Sequence, residues 1–265
     1  MASKTRLDVE LVRRGLARSR QDALDLVAAG RVKVGGMPAS KPATAVDAAT
    51  PLVVAKAQGD TTVSRGAHKL AGALDRWSAL PVAERRCLDA GASTGGFTQV
   101  LLRRGAREVV AVDVGYGQLA WSLASDPRVW VFDRTNVRSI TPVVIGGRVD
   151  LVVADLSFIS LTTVLPVLVD CLAEGGDLVV MVKPQFEAGR DAVGSGGVVR
   201  DPAVRAAAVA KVASAANELG LGTAGIVASS LPGPAGNVEY FLWLQAGAEP
   251  PADDDIAAAI ASGPQ

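Results

Sequence analysis

Four apolar runs in this sequence each end on a charged residue, and this pattern points to a ligand site. The runs EVVAVD, VWVFD, DLVVAD and DLVVMVK end at Asp113, Asp133, Asp155 and Lys183. If these runs are parallel strands of one open sheet, ligands bind beyond the carboxyl ends that the charged residues mark. Three carboxylates and one amine at such an edge suit a ligand that is cationic and carries hydroxyl groups.

The stretch LDAGASTGGF, residues 88–97, joins a strand-like run to a helix-like segment. Such a loop fits a triphosphate, a dinucleotide or S-adenosylmethionine. A triphosphate loop needs Lys and then Ser or Thr after its last glycine, whereas Phe97 and Thr98 stand there. A dinucleotide loop needs Gly-x-Gly-x-x-Gly, but Ala92 occupies the second glycine position. Both phosphate ligands are therefore disfavoured, and the N–H groups of the following helix suit the carboxylate of an amino-acid-bearing cofactor.

Asp113 lies 22 positions after Gly91, the spacing at which an acidic residue accepts hydrogen bonds from ribose hydroxyls. That spacing fits NAD and S-adenosylmethionine equally. The sulfonium is a cation, so strand ends rich in carboxylates, without an arginine for a pyrophosphate, favour the methyl donor. For Phe158, a place in the hydrophobic core is the alternative to a place at the cofactor. We expect the cofactor to be bound by Gly91, Ala92, Ser93, Thr94, Gly95, Gly96, Phe97, Asp113, Asn136, Asp155 and Phe158.

Strands and helices must alternate to bring these residues together. Apolar periodicity predicts strands near 86–90, 107–113, 128–133, 149–154, 177–183, 224–229 and 239–245. It predicts helices near 67–79, 96–104, 117–125, 160–173 and 202–219. The alternation indicates an α/β fold with a doubly wound, mostly parallel sheet. The last two strands are joined by SLPGPAGN, too short for a helical crossover, so we expect that pair to be antiparallel, as is typical of class I methyltransferases.

The first 41 residues carry a net charge of +5, although the whole chain has a formal net charge of zero. Helical spacing covers 6–17, and a second helix runs from a cap at Ser19 to Gly30, before strands in 31–36 and 43–55. This small α+β head resembles an S4 domain, which implies that it binds RNA; solvation of a small domain is the alternative. The implied RNA contacts are Arg6, Arg13, Arg14, Arg18, Arg20, Arg31, Lys33, Lys41 and, outside the head, Arg65.

Composition and segment lengths narrow the class of protein. A hydrophobic content of 49% supports a real core, and we expect a head over 1–58, a linker over 59–63, a catalytic domain over 64–247 and a tail over 248–265. Cys87 and Cys171 lie in apolar stretches without metal-ligand or redox spacing, so we expect no metal. The sequence shows neither a signal peptide nor a membrane-spanning run, so we expect a soluble, cytoplasmic monomer.

The acceptor chemistry is indicated by four residues outside the glycine loop. Lys69, Asp155, Lys183 and Glu239 follow one another in the order Lys, Asp, Lys, Glu, which resembles the tetrad of RNA ribose 2′-O-methyltransferases. Together with SRGAHKL, DVGYGQL, ADLSFIS, VKPQFE and GPAGNVEYFLW, they identify the chain as similar to the TlyA family, also labelled hemolysin A. That resemblance implies a class I methyltransferase domain of the FtsJ type. It further implies that ribosomal RNA of the small and large subunits is methylated on cytidine ribose 2′-hydroxyls.

A ribose hydroxyl needs a base, because it must lose its proton as it attacks the methyl carbon. A lysine with the ordinary pKa of about 10.4 is protonated at neutral pH. A second ammonium, Lys69, and partial burial would favour the neutral form of Lys183, whereas the two acids would oppose it. We therefore expect Lys183 to be the base, held by Asp155, with Glu239 anchoring Lys69.

Two other functions remain as alternatives to an enzyme. One is a ribosome-binding factor that retains the fold without turnover, against which the complete tetrad argues. The other is membrane lysis, which the hemolysin label suggests but no amphipathic or apolar segment supports.

His68 has no catalytic partner in a recognisable motif, so we expect a structural role for it. Residues 185–200 are glycine-rich and predict a mobile loop or lid facing RNA.

Overall fold

The structure, a computed structural model, describes residues 4–17, 20–28, 30–55, 62–189 and 192–264. The chain divides into two units, residues 1–61 and 62–265. Of the predicted linker over 59–63, residues 59–61 lie outside the described part. The N–H group of Val63 donates to Gln99 Oε1 at 2.9 Å, so the end of that stretch belongs to the second unit.

The first unit contains two helices and short strands, as the S4-like pattern predicts. Its elements are β1 (Thr5–Arg6), α1 (Leu7–Arg13), α2 (Arg20–Ala28), β2 (Val32–Val34), β3 (Met37–Pro38), β4 (Ala45–Val46) and β5 (Leu52–Val54). β1 pairs with β4, and β2 lies between β3 and β5. Helix α1 ends before the predicted Ala17, because Gly15 turns the chain with a φ of 69° and Leu16 N–H donates to Leu11 O. The predicted cap Ser19 lies outside the described residues.

The second unit has the alternating elements of an α/β fold. They are α3 (Arg65–Arg76), β6 (Arg86–Ala90), α4 (Gly96–Arg103), β7 (Glu108–Val112), α5 (Trp121–Ala124), β8 (Val129–Phe132), β9 (Val149–Ala154), α6 (Leu161–Asp170), β10 (Leu172–Val182), α7 (Pro184–Glu187), α8 (Pro202–Glu218), β11 (Leu221–Ala228), β12 (Tyr240–Ala246) and α9 (Asp253–Ala261). Single turns of 3₁₀ helix cover Val137–Ser139 and Ser195–Gly197.

One seven-stranded sheet organises this unit, in the order β11-β12-β10-β9-β6-β7-β8. β6, β7, β8, β9 and β10 pair in parallel, and β12 runs antiparallel to both β10 and β11. The prediction of a mostly parallel sheet with a terminal antiparallel strand is confirmed. The central strands are apolar on both faces because helices cover both sides of the sheet.

Three boundaries differ from the sequence prediction. The helix expected over 117–125 is only the single turn α5, and α6 ends at Asp170 rather than at 173. β10 begins at Leu172, which pairs with Val149, and a register shift before Asp177 hides this start from a periodicity of two. The expected tail contains α9, whose Ile256 and Ile260 pack into the core. None of the described helices is long and apolar enough to cross a membrane.

Candidate active site

The structure places Lys69, Asp155, Lys183 and Glu239 around one cavity of about 350 Å³. Lys69 comes from α3, Asp155 and Lys183 follow β9 and β10, and Glu239 directly precedes β12. β9 and β10 are parallel neighbours, so their carboxyl ends meet at one edge. β12 is antiparallel and therefore brings its amino end to the same edge. This topology explains how residues up to 170 positions apart share a site.

Two ion pairs organise the four side chains. Lys69 Nζ lies 2.5 Å from Glu239 Oε2, and Lys183 Nζ lies 2.6 Å from Asp155 Oδ1. Lys69, Lys183 and Glu239 are exposed by only 7%, 9% and 1%. Charges this far from water are tolerated when they are paired, so each acid holds its lysine in a defined place.

Ser157 is a site residue that the sequence analysis missed. Lys183 Nζ donates to Ser157 Oγ at 2.9 Å, and Ser157 lines the same cavity. The amine is thus held by an ion pair with Asp155 and by a hydrogen bond to Ser157. The only sequence signal was the place of Ser157 between two predicted site residues in ADLSF.

Glu187 connects the two loops that carry Asp155 and Lys183. The Glu187 carboxylate, buried at the end of α7, accepts hydrogen bonds from Ser160 Oγ at 2.5 Å and Leu161 N at 2.6 Å. These bonds satisfy a backbone N–H at the start of α6. Glu187 therefore joins the segment after β10 to the segment after β9, in addition to the contacts of Lys183 with Asp155 and Ser157.

The glycine loop lies against this site, and its glycines are required by space as well as by conformation. Gly91 has a φ of 91°, and a Cβ there would lie 2.5 Å from the carbonyl oxygen of Asp155. At Gly95, with a φ of 95°, a Cβ would collide with Leu123. Larger residues at these two positions would push the loop away from the sheet edge.

Asp89, under this loop, is a second residue that the sequence analysis missed. Its Oδ2 accepts hydrogen bonds from Thr98 N at 2.8 Å and Thr98 Oγ1 at 2.7 Å, which ties β6 to the first turn of α4. Asp89 is fully buried, and its Oδ1 has no partner among the described residues. Burial raises the pKa of this carboxyl to about 7, and the nearby charges of Asp155 and Asp113 act in the same direction.

A second cavity, of about 570 Å³, adjoins the first. Both cavities are lined by Gly91, Ser93, Asp155 and Ser157, so they meet at the catalytic edge of the sheet. Asp113 lines the second cavity; its Oδ2 accepts from Ser93 N at 2.8 Å and its Oδ1 from Gly115 N at 2.7 Å.

The predicted cofactor residues are distributed over the two cavities. Gly91, Ser93 and Asp155 line both, Ala92, Thr94, Gly96 and Phe97 line the first, and Asp113, Asn136 and Phe158 line the second. Gly95 lines neither of them and acts through the loop conformation.

Phe158 is not in the hydrophobic core: its side chain is 90% exposed, in left-handed backbone with a φ of 63°, and its ring centroid lies 5.2 Å from that of Phe186. Asn136 Oδ1 accepts from Arg138 N and so caps a 3₁₀ turn beside the second cavity. His68 lines neither cavity and is hydrogen-bonded to Thr62 through Nε2, at 2.9 Å from Thr62 Oγ1.

The predicted RNA-binding residues fall on both units. Arg65 lines the first cavity, and its guanidinium donates to Pro232 O. In the first unit, Arg14 donates to Thr50 O, Asp47 O and Ala48 O, so it holds the β4–β5 turn instead of projecting into solvent. Arg31 donates to Ala55 O. Arg18 lies outside the described residues, and the others, Arg6, Arg13, Arg20, Lys33 and Lys41, lie on the first unit.

Comparison with known proteins agrees with both units. A family model of FtsJ-like methyltransferases matches residues 62–246, and a model of the S4 domain matches residues 5–50. A 16S/23S rRNA (cytidine-2′-O)-methyltransferase, TlyA, of Mycobacterium tuberculosis is 64% identical over 92% of this chain and 91% of that protein. Hemolysin A of Brachyspira hyodysenteriae is 35% identical over 89% of this chain and 98% of that protein. The solved structure of a proposed hemolysin of Streptococcus thermophilus has a TM-score of 0.74 at 36% identity, covering 98% and 96% of the two chains.

The raised pKa of Asp89 leads to a pH-dependent stability of the second unit. Because the folded-state pKa of about 7 lies above the ordinary 3.8, the stability associated with the neutral carboxyl is complete below about pH 4 and is lost as the pH rises through 7. We expect the unfolding temperature to fall by about 5 °C or more between pH 5 and pH 8, and to fall less in Asp89→Asn. Calorimetry at several pH values measures both slopes.

The control is Asp254→Asn, which changes an exposed carboxylate on α9 and should keep the wild-type slope. Parallel pH profiles for the wild type and Asp89→Asn would show that Asp89 does not titrate in this range.

Proposed function

This chain belongs to the TlyA family of FtsJ-like methyltransferases with an S4 domain, and we propose that it methylates cytidine ribose 2′-hydroxyls of 16S and 23S ribosomal RNA. The observation that carries the proposal is the meeting of the two cavities at Asp155, with Lys183 paired to that residue. One cavity has the size and the mixed apolar and polar lining for a nucleoside cofactor, and the other presents amines and acids to an acceptor. A ribosomal substrate implies action in the cytoplasm.

S-adenosylmethionine fits the residues that line the second cavity. The carboxylate of Asp113 is available to ribose hydroxyls, and the carboxylate of Asp155 carries charge complementary to a sulfonium. Because Gly91 has no Cβ, the glycine loop can lie directly against the backbone of Asp155. When bound, this cofactor supplies a methyl group activated by the positive sulfur.

The residues of the first cavity position the acceptor and take its proton. Lys183, fixed by Asp155 and Ser157, accepts the proton of the ribose hydroxyl as the oxygen attacks the methyl carbon. The Lys69–Glu239 pair forms another wall of the cavity and keeps a second positive charge beside the base. When the cofactor is bound, holding the acceptor hydroxyl in a fixed position in this cavity would supply much of the rate.

The first test is methyl transfer to purified ribosomal subunits that lack the modification. The wild type should transfer labelled methyl groups from S-adenosylmethionine to cytidines, and reverse transcription sensitive to ribose methylation should map the products. Methylation on a base, or none with either subunit, would refute the acceptor assignment. Binding of the subunits without methyl transfer would favour a ribosome-binding factor.

Replacing Lys183 by arginine tests whether this residue acts as the base or only as a positive charge beside Asp155. Lys183→Arg keeps a cation beside Asp155, but a guanidinium stays protonated and cannot accept the hydroxyl proton. We expect the methyl-transfer rate to fall by about 10²-fold or more while subunit binding changes less than about twofold. Rate and filter-binding measurements on one preparation decide this, and substantial residual activity would exclude Lys183 as the base.

Removal of the Ser157 hydroxyl should disturb the direction of the lysine. We expect Ser157→Ala to lower kcat by about 10-fold with little change in KM for the RNA, because the amine loses the hydrogen bond that directs it and keeps only the ion pair with Asp155. Ser157→Thr keeps a hydroxyl and should recover most of the rate. The pH profile of kcat should also shift in Ser157→Ala; a profile and kcat like those of the wild type would mean that the contact does not orient Lys183.

A further inference from the structure

Two acidic residues in the first unit are buried beneath arginines. Asp8 is 0% exposed and Glu10 is 2% exposed, although acidic side chains of small domains are ordinarily at the surface. The sequence analysis counted both residues only as charges that reduce the positive total of the head. Their contacts indicate a different role.

Asp8 is bound by two arginines and uses both of its oxygens fully. Arg6 donates through Nε to Oδ1 and through Nη2 to Oδ2, each at 3.0 Å, which is a bidentate pair. Arg20 Nε donates to Oδ2 at 3.0 Å, and Val9 N donates to Oδ1 at 3.0 Å. Four donors occupy the four acceptor positions of the carboxylate, so the two guanidiniums are fixed relative to α1.

Glu10, two residues later, is also bound by two arginines. Arg13 donates to both carboxylate oxygens, at 2.7 and 2.6 Å, and Arg14 Nε donates to Oε1 at 2.7 Å. The remaining contacts of Arg14 go to the β4–β5 turn, so Glu10 and Arg14 together attach the helix to that turn. Arg13 is thereby held on a rigid support.

The arginines keep donors for an external partner. The side chains of Arg6, Arg13 and Arg20 are 49%, 61% and 62% exposed. A guanidinium has five N–H groups, and within the described part of the chain the acids take two from Arg6, two from Arg13 and one from Arg20. The other N–H groups can bind phosphate oxygens in the forked geometry that arginine favours.

We propose that Asp8 and Glu10 are positioning residues that preform two contacts for the sugar-phosphate backbone of RNA, Asp8 by holding Arg6 and Arg20 and Glu10 by holding Arg13. The identity of the RNA rests on the proposed function. A long arginine side chain that is already ordered avoids the entropy loss that a mobile one incurs on binding. The arginines keep the pKa of both carboxyls at about 2, through the hydrogen bonds from Arg6 to Asp8 and from Arg13 to Glu10 first, so the acids are charged at physiological pH.

Whether removal of an acid strengthens or weakens RNA binding distinguishes positioning of the arginines from attraction by the net positive charge. Asp8→Asn and Glu10→Gln each make the head more positive by one charge. If only the overall field attracted RNA, both variants would bind more tightly. If the acids position the arginines, both variants bind more weakly despite the added charge.

The experiment measures binding of the full-length chain to ribosomal subunits that lack the methylation, at a fixed salt concentration. We expect about fivefold weaker binding for Asp8→Asn and for Glu10→Gln, the loss that follows when side chains must be immobilised on binding. The matched control is Asp25→Asn, which adds the same charge on α2 but removes a carboxylate bonded to Gln21, not to an arginine of the described chain. It should bind equally or slightly more tightly.

Equal or tighter binding by a folded Asp8→Asn or Glu10→Gln variant overturns the proposal. Hydrogen exchange of α1 in the full-length protein shows whether each variant is folded. If neither is, the wild type decides: nuclear magnetic resonance should show slow exchange of the Nε–H groups of Arg6, Arg13 and Arg20. The Nε–H group of Arg76 should exchange fast, because the side chain of Arg76 has no hydrogen-bond partner in the described chain. Fast exchange in all four would also overturn it. Methyl transfer by the wild type, measured in parallel, tests the proposed function separately.

Discussion

The pair between Lys183 and Asp155 depends on the parallel pairing of β9 and β10. The two strands end at the same edge of the sheet, where side chains that follow them are brought within contact distance. An antiparallel arrangement of these strands would put the amine and the carboxylate at opposite edges. β12, the second strand from one end of the sheet, runs antiparallel to β10. Its amino end therefore lies at the same edge and places Glu239 beside Lys69.

Burial of charge is the common physical theme of the second unit. The Lys69–Glu239 pair and the amine of Lys183 lie almost out of water, whereas Asp155 is partly exposed, and pairing offsets much of the cost of removing these charges from solvent. Asp89 has no cation of this kind among the described residues, and its burial raises the pKa of its carboxyl to about 7.

The first unit uses a related device for a different purpose. Asp8 and Glu10 hold arginines as Asp155 and Glu239 hold lysines, but the arginines remain half exposed while the lysines do not. In the second unit the held amines line a cavity, and in the first the held guanidiniums face the solvent. Arg14 shows the limit of this device, since its contacts with the β4–β5 turn leave little for a partner.

The sequence by itself determined the fold class, the order of the strands along the chain and the identity of the residues at the strand ends. It did so because apolar periodicity reports which faces of an element are buried, and because parallel strands place their carboxyl ends together. Only the tertiary structure decided how side chains far apart in the chain are paired, how Ser157 contacts Lys183 and how Glu187 joins two loops. Those contacts depend on backbone positions and rotamers that are set by packing, and the apolar periodicity of the sequence carries no information about either. The same reason explains why α9 and the buried state of Asp8 and Glu10 were not predicted.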